Sequence, residues 1–320
     1  MKFVESAGNP VPEGAQIGYF ESPQDGTRSR YALWPALKPA RKGSKKGCIC
    51  LFPGRGEFIE KYFETVTELL DRGFSVAMLD WRGQGRSQRP LKNPRKGHVV
   101  SFEEYSEDLE FFMKTIVEPE CPWPYFALAF SMGGNVILRA LPHKDWFQRV
   151  VLVSPMVGLS PHLVTFEMLR FIVKLANFIG LGTAYIPGGR SRPTEERKFA
   201  GNLLTTDSKR LQRVKDILRS DPALGLGSPT FGWMYAAMES ISVLQREGFG
   251  ARISTPTLII AGGHERVVSY RAIETLCRKM PKGALVTIDG ALHEIMMERD
   301  IFREQFWAAF DAFIPGSAGS

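Results

Sequence analysis

Cysteine is scarce in this chain. Its four cysteines, Cys48, Cys50, Cys121 and Cys277, show no metal-ligand spacing. Cys48 and Cys50 are two apart in a strand-like run, which directs both to one face. All four are expected to be reduced packing residues, which argues against a disulfide framework or a zinc site. Long apolar runs are lacking too. The most apolar stretch is broken by Glu167, Arg170 and Lys174, so no window reads as a transmembrane helix. The opening residues, MKFVESAGNPVPEG, hold no apolar run of signal-peptide length, and the expectation is a cytoplasmic protein. Acid is absent from two basic runs, KPARKGSKK (Lys38 to Lys46) and RGQGRSQRPLKNPRKGH (Arg82 to His98), so the net charge of +7 is unevenly placed. Such runs are either solvated loops or weak attractors of an anionic lipid surface, at ~1 kcal/mol per well-placed cation. They lack interleaved aromatics and match no nucleic-acid module, which argues against nucleic acid as a partner.

What is present is ordinary globular composition, 44% hydrophobic and 23% charged, enough for one large core or a domain carrying an insertion. Short apolar runs alternate with helical patterns, predicting a mostly parallel sheet covered by helices. Strands are expected near Ala15–Phe20, Ser29–Trp34, Gly47–Phe52, Ser75–Leu79, Tyr125–Phe130, Val150–Ser154, Thr257–Ala261 and Leu285–Ile288. Helices are expected over Glu60–Asp71, Phe102–Val117, Gly133–Ala140, Tyr270–Lys279 and Ile301–Phe313. Ser101 and Glu104 form a capping-box signature at the second of these. The alternation stops between Ser154 and Ile253. That stretch reads as a helical lid or cap (154–253) inserted between two parts of the core, 1–153 and 254–320. Its first helix, PHLVTFEMLRFIVKLANFIG, confines Glu167, Arg170 and Lys174 to one narrow polar stripe. The remaining wide apolar face is either packed core or a lid surface lining an acyl tunnel or touching lipid.

The stretch FALAFSMGGN (Phe126 to Asn135) carries the chemistry. A strand ends at Ser131, and Gly133 and Gly134 open a helix, the strand–Ser–helix context of a nucleophile elbow. The small residues two before and two after the serine are Ala129 and Gly133, an A-x-S-x-G variant of the usual G-x-S-x-G. A serine nucleophile needs a base, and the base needs an orienting acid. Four histidines follow Ser131: His143, His162, His264 and His293. Only His293, in IDGALHEIMME, lies in a loop after the last predicted strand. The loop after the preceding strand offers Glu265 as the acid, with Asp289 a weaker alternative too near His293 in sequence. Donors for an oxyanion are the backbone N–H of Met132, just after the nucleophile, and that of Arg55 in the loop FPGRGEF.

On these pieces the sequence resembles the α/β-hydrolase superfamily, and within it the bacterial lysophospholipase and monoacylglycerol-lipase-like serine hydrolases. The carrying segments are PGRGEF, DWRGQGRS (Asp80 to Ser87), AFSMGG, SPMVGL (Ser154 to Leu159), NLLTTD (Asn202 to Asp207), SPTFGWMYAAM (Ser228 to Met238), AGGHERVV and GALHEIMMERD. The resemblance implies an eight-stranded, mostly parallel sheet with helices on both faces and a helical lid. It implies Ser131 as nucleophile, Glu265 as acid, His293 as base and the Arg55 and Met132 amides as oxyanion donors. It further implies a lipid ester substrate, a lysophospholipid in the first instance, and no cofactor or metal. Phe166, Phe171, Phe231, Trp233 and Tyr235 are expected to line the acyl site. Three positions depart from the family pattern: Pro53-Gly54 where His-Gly is usual, Ala129-Phe130-Ser131 where Gly-His-Ser is usual, and Glu265 where Asp is usual.

Other readings of the same scaffold are a monoacylglycerol lipase, a general carboxylesterase and a proline-type aminopeptidase. The last needs lid acids to hold a substrate amine, whereas this lid is rich in Arg and Lys. A dehalogenase would need Asp where Ser131 stands. A catalytically silent binding protein would show a lost triad member.

Overall fold

The structure is a computed structural model that describes residues 2–6, 8–36, 46–160, 165–196 and 199–317. The first basic run, apart from Lys46, and His162 lie outside the described residues. Eight strands form one sheet: β1 (Gln16–Glu21), β2 (Arg28–Trp34), β3 (Cys48–Phe52), β4 (Ser75–Leu79), β5 (Tyr125–Phe130), β6 (Arg149–Val153), β7 (Thr257–Gly262) and β8 (Gly283–Ile288). Their order is β1-β2-β4-β3-β5-β6-β7-β8. The β1–β2 and β2–β4 pairs are antiparallel and every other pair is parallel.

Central strands β3, β4 and β5 are buried along their whole length. Strands covered on both faces take continuous apolar runs, which is why these segments show little alternation in sequence. Their side chains still alternate in space. Cys48, Cys50 and Phe52 enter one core layer, and Ile49 and Leu51 enter the other. On the first face the layer is closed by α2 (Phe102–Phe112), α4 (Met132–Ala140), α7 (Phe231–Leu244) and α8 (Tyr270–Arg278). The opposite layer is closed by α1 (Phe63–Asp71) and α9 (Asp300–Phe313). Helix α2 opens with the expected Ser101–Glu104 capping box, then widens through a π-turn, Met113–Val117, into α3 (Glu118–Glu120).

Between β6 and β7 the chain leaves the sheet and forms α5 (Phe166–Ala176), α6 (Ser208–Ser220) and α7. Helix α5 begins at Phe166 because the Thr165 hydroxyl caps the Met168 amide. Only its Val173 and Ala176 stripe is buried, packed toward α7. Met168, Phe171, Ile172 and Leu175 on the opposite face are exposed. Helix α6 is held to the core by Arg210, whose guanidinium bridges Glu64 of α1 and Asp300 of α9.

The second basic run is largely consumed within the fold. Arg82, 5% exposed, pairs with Asp108, Asp25 and Glu104. Arg86 pairs with Asp221, and Arg89 donates to the carbonyls of Gly83, Gly85 and Ala223. These three cations therefore brace loops, and the net charge of the run overstates what it offers to a lipid surface.

Candidate active site

Ser131 follows the last residue of β5 and caps α4 with φ 48° and ψ −110°, a left-handed conformation that L-residues seldom adopt. Local bonds hold it there. Its N–H donates to Val153 O, and its carbonyl accepts from the Asn135 and Met156 amides, at 2.9–3.1 Å. Gly133 is required two residues on. A Cβ at that position would lie 2.4 Å from Phe52 O and 2.6 Å from Pro53 O, which are backbone atoms.

The ends of β7 and β8 supply two more groups at the same edge of the sheet. His293 Nε2 lies 3.1 Å from Ser131 Oγ, and His293 Nδ1 lies 2.6 Å from Glu265 Oε2. An ionised carboxylate only accepts, so Nδ1 carries the proton and the Nε2 lone pair faces the hydroxyl. The other carboxylate oxygen of Glu265 accepts from the Val267 and Val268 amides. Burial pushes the Glu265 carboxyl up, but the His293 ring and these two amides outweigh it and hold it below the ordinary glutamate range. Asp289 is exposed, as are His143 and His264.

Both flanks of His293 are tied down by groups that sequence reasoning missed. The Leu292 amide donates to the fully buried Glu298 carboxylate, which also accepts from Thr206 N–H. The Glu294 amide donates to Leu204 O. Segment 204–206 thus straps the histidine loop from outside the sheet.

Loop Pro53–Gly56 is braced on both sides of Arg55. Gly54 N–H donates to Glu57 Oε2 at 2.5 Å, Gly56 N–H donates to Gln84 Oε1, and Trp81 Nε1 donates to Pro53 O. The Arg55 guanidinium donates to Gly227 O and lies over the Trp233 ring, 4.9 Å from its centroid. Met132 heads α4, and a helix leaves its first N–H groups without an intrahelical carbonyl.

Ser131 and His293 open on a cavity of about 200 Å³ whose walls include Arg55, Met156, Leu159, Leu226, Trp233 and Val268. Of the five aromatics expected here, Trp233 alone is in the wall. Phe166 packs on the core, and Phe231 and Tyr235 are partly buried away from the cavity. Phe171 is 66% exposed, because α5 turns its Val173 face to α7 and its Phe171 face outward. Two unpredicted carboxylates also reach the cavity, Glu57 and Glu294, both ion-paired to the buried Lys61 at 2.7 and 2.8 Å. Burial raises the Glu294 carboxyl above its usual range despite Lys61. Among the described residues no cluster of His, Cys, Asp and Glu is arranged to hold a metal ion.

Residues 43–300 match the family model described as serine aminopeptidase, S33. Lysophospholipase L2 of Escherichia coli strain K12 is 34% identical over 272 residues, covering 80% of this chain and 76% of that protein. The chain belongs to the α/β-hydrolase superfamily. Within it, the chain falls in the lysophospholipase and monoacylglycerol-lipase-like family of carboxylic ester hydrolases. The monoacylglycerol lipase of Mycolicibacterium smegmatis is 24% identical over 282 residues, with 85% of this chain and 88% of that protein covered. The fold of a monoglyceride lipase from Saccharomyces cerevisiae superposes with a TM-score of 0.74 at 20% identity, over 95% of this chain and 97% of the other. In this hydrolase the residues that depart from the usual pattern sit without conflict. Ala129 is fully buried in the core, and the Phe130 ring packs 4.9 Å from the His293 ring.

Proposed function

We propose that this protein is a serine esterase that releases the fatty acid of a lysophospholipid through Ser131, His293 and Glu265. The observation that carries the reading is the continuous relay from Ser131 Oγ to His293 to Glu265, at 3.1 and 2.6 Å, opening on a cavity whose walls include Met156, Leu159, Leu226, Trp233 and Val268.

Ser131 Oγ attacks the acyl carbonyl as His293 Nε2 takes its proton, and Glu265 stabilises the imidazolium that forms. Charge developing on the carbonyl oxygen is met by the Arg55 and Met132 amides. The alcohol leaves with the proton held by His293. Water, deprotonated by the same nitrogen, then attacks the acyl-enzyme and frees the fatty acid. The segment 154–253 acts as a lid that supplies Trp233 and Leu226 to the acyl site.

The relative named as a lysophospholipase, at 34% identity, supports this head group. Monoacylglycerol hydrolysis is the second reading, favoured by the relative of that name. Aminopeptidase chemistry is disfavoured, because the two carboxylates that reach the cavity, Glu57 and Glu294, are both ion-paired to Lys61.

The test is fatty-acid release from lysophosphatidylethanolamine and from a monoacylglycerol of the same chain, with wild type and Ser131→Ala. Faster release from the lysophospholipid, abolished in the variant, is the expected result. Preference for the monoacylglycerol reassigns the head group and keeps the triad. No release of any ester by folded protein would leave a silent binding protein as the better description.

A further inference from the structure

We infer that the cleft between α7 and α8, which shares a partition with the catalytic cavity, is a binding site for a fatty-acid anion. The cleft has a volume of about 330 Å³. Val157, Leu244 and Leu276, all buried, give it an apolar floor, and Arg271, Thr275 and Lys279 stand along one edge. These three recur at four-residue steps and so share one face of α8, with Arg271 and Lys279 about 12 Å apart along its axis. None of the described residues in the wall is an acid. Both cations are exposed, and neither has an ion-pair or side-chain hydrogen-bond partner among the described residues, whereas Arg278 of the same helix is paired with Glu274.

An apolar floor edged by unpaired cations suits a ligand with a hydrocarbon chain and one negative end. Arg271 takes the carboxylate, because a guanidinium can hold both of its oxygens at once. The chain then lies over Val157, Leu244 and Leu276, toward the aliphatic stem of Lys279. The neighbouring cavity identifies the ligand. Met156 and Val268 line the catalytic cavity, and the next residues in the chain, Val157 and Ser269, line the cleft. The partition between them is thin and bonded across. Ser269 N–H donates to Gly158 O at 3.0 Å, and Gln245 Nε2 donates to Val157 O at 2.9 Å. A Cβ on Gly158 would lie 2.8 Å from Ala272 Cβ, so α8 packs directly on this segment. A fatty acid freed at Ser131 is therefore released beside the cleft. This choice of ligand rests on the esterase reading; the preference of the cleft for an anion with a chain does not.

The experiment is equilibrium dialysis of radiolabelled laurate, below its micellar concentration, against wild type, Arg271→Gln and Thr275→Trp. Both positions are exposed and outside the catalytic cavity, so the variants should keep the wild-type melting temperature and the same rate on a soluble short-chain ester. The catalytic cavity is common to all three proteins, and differences in binding therefore report the cleft. Wild type should bind one more laurate than Thr275→Trp, whose indole fills the cleft. Arg271→Gln should bind laurate there ~10-fold more weakly. Dodecanol, which has the chain without the charge, should displace laurate from the cleft only at ~10-fold higher concentration than unlabelled laurate does. Equal laurate binding by all three proteins would overturn the site, since the ligand would then occupy the catalytic cavity alone. Dodecanol that competes as well as laurate would overturn the anion assignment. The same laurate differences in a folded protein that hydrolyses no ester would sink the esterase reading and leave the site intact.

Discussion

Glu265→Gln isolates the acid of the proposed triad with almost no change in shape. The glutamate uses both oxygens: Oε2 accepts from His293 Nδ1 at 2.6 Å, and Oε1 from the Val267 amide at 2.7 Å. Glutamine has one acceptor oxygen and one donor group. If its oxygen turns to Val267, its NH2 faces Nδ1 and forces the proton to Nε2, so the ring can no longer take the Ser131 proton. If its oxygen turns to Nδ1, its NH2 meets the Val267 N–H head-on. Either orientation also removes the negative charge that faces the imidazolium. At ~4 Å and an effective dielectric of about 20, that charge is worth roughly 4 kcal/mol, or about a thousandfold in kcat. KM should be unchanged, because Glu265 is not part of the cavity wall. The assay is kcat and KM on a short-chain chromogenic ester, with labelling of Ser131 by a fluorophosphonate as the second readout. Glu265→Asp keeps the charge on a shorter arm and should fall between wild type and the glutamine variant. A glutamine variant that kept more than about a tenth of wild-type kcat would refute the assignment.

Gln84→Leu should lower kcat by ~10-fold or more with KM within about twofold, since the buried Gly56 N–H loses its acceptor and the Arg55 loop loosens; a change confined to KM would contradict that brace. Glu64→Gln should expose a pH-dependent stability term. Burial raises the Glu64 carboxyl, but Arg210, Arg303 and Arg213 outweigh it and hold it at about 2, below its ordinary 4.5. The ionised group therefore stabilises the fold by about 3 kcal/mol above the unfolded pKa, and this is lost as pH falls through the folded one. The variant should be less stable by that amount at neutral pH and by only ~1.4 kcal/mol at pH ~3 in urea titrations. A difference that did not shrink with acid would count against it.

The proximity of the three side chains proposed as a triad was legible because chain order and strand ends fix it. Ser131, Glu265 and His293 each follow a strand that reads plainly as a short apolar run, and parallel strands bring such loops to one edge. The bracing residues were not legible. Gln84 reaches Gly56 across 28 positions, and Glu298 reaches Thr206 across 92, bonds that no local pattern encodes. Four of the five aromatics expected in the cavity wall lie elsewhere, for a different reason. A helix with apolar residues on most of its surface does not say which side will be covered. In α5 the small, flat Val173 and Ala176 stripe packs on α7 and leaves Phe171 outside.

The two small residues that flank Ser131 are not equivalent, and this explains why the sequence departs from the family pattern at one and not the other. The methyl of Ala129 sits in the core layer beside Ala127 and Met132, fully buried. There it fills space that glycine would leave to its neighbours. At Gly133 the nearest atoms to an added methyl are the carbonyls of Phe52 and Pro53, and they belong to the strand end that launches the Arg55 loop. Any side chain there would push that loop away from Ser131, and with it the amide proposed to meet the oxyanion. The first position is thus a packing choice, open to alanine. The second couples the elbow to the loop that Gln84, Trp81 and Glu57 hold from the other side. Strain at Ser131, close approach at Gly133 and the three braces therefore act as one device that fixes the distance between Ser131 and the Arg55 amide before substrate arrives.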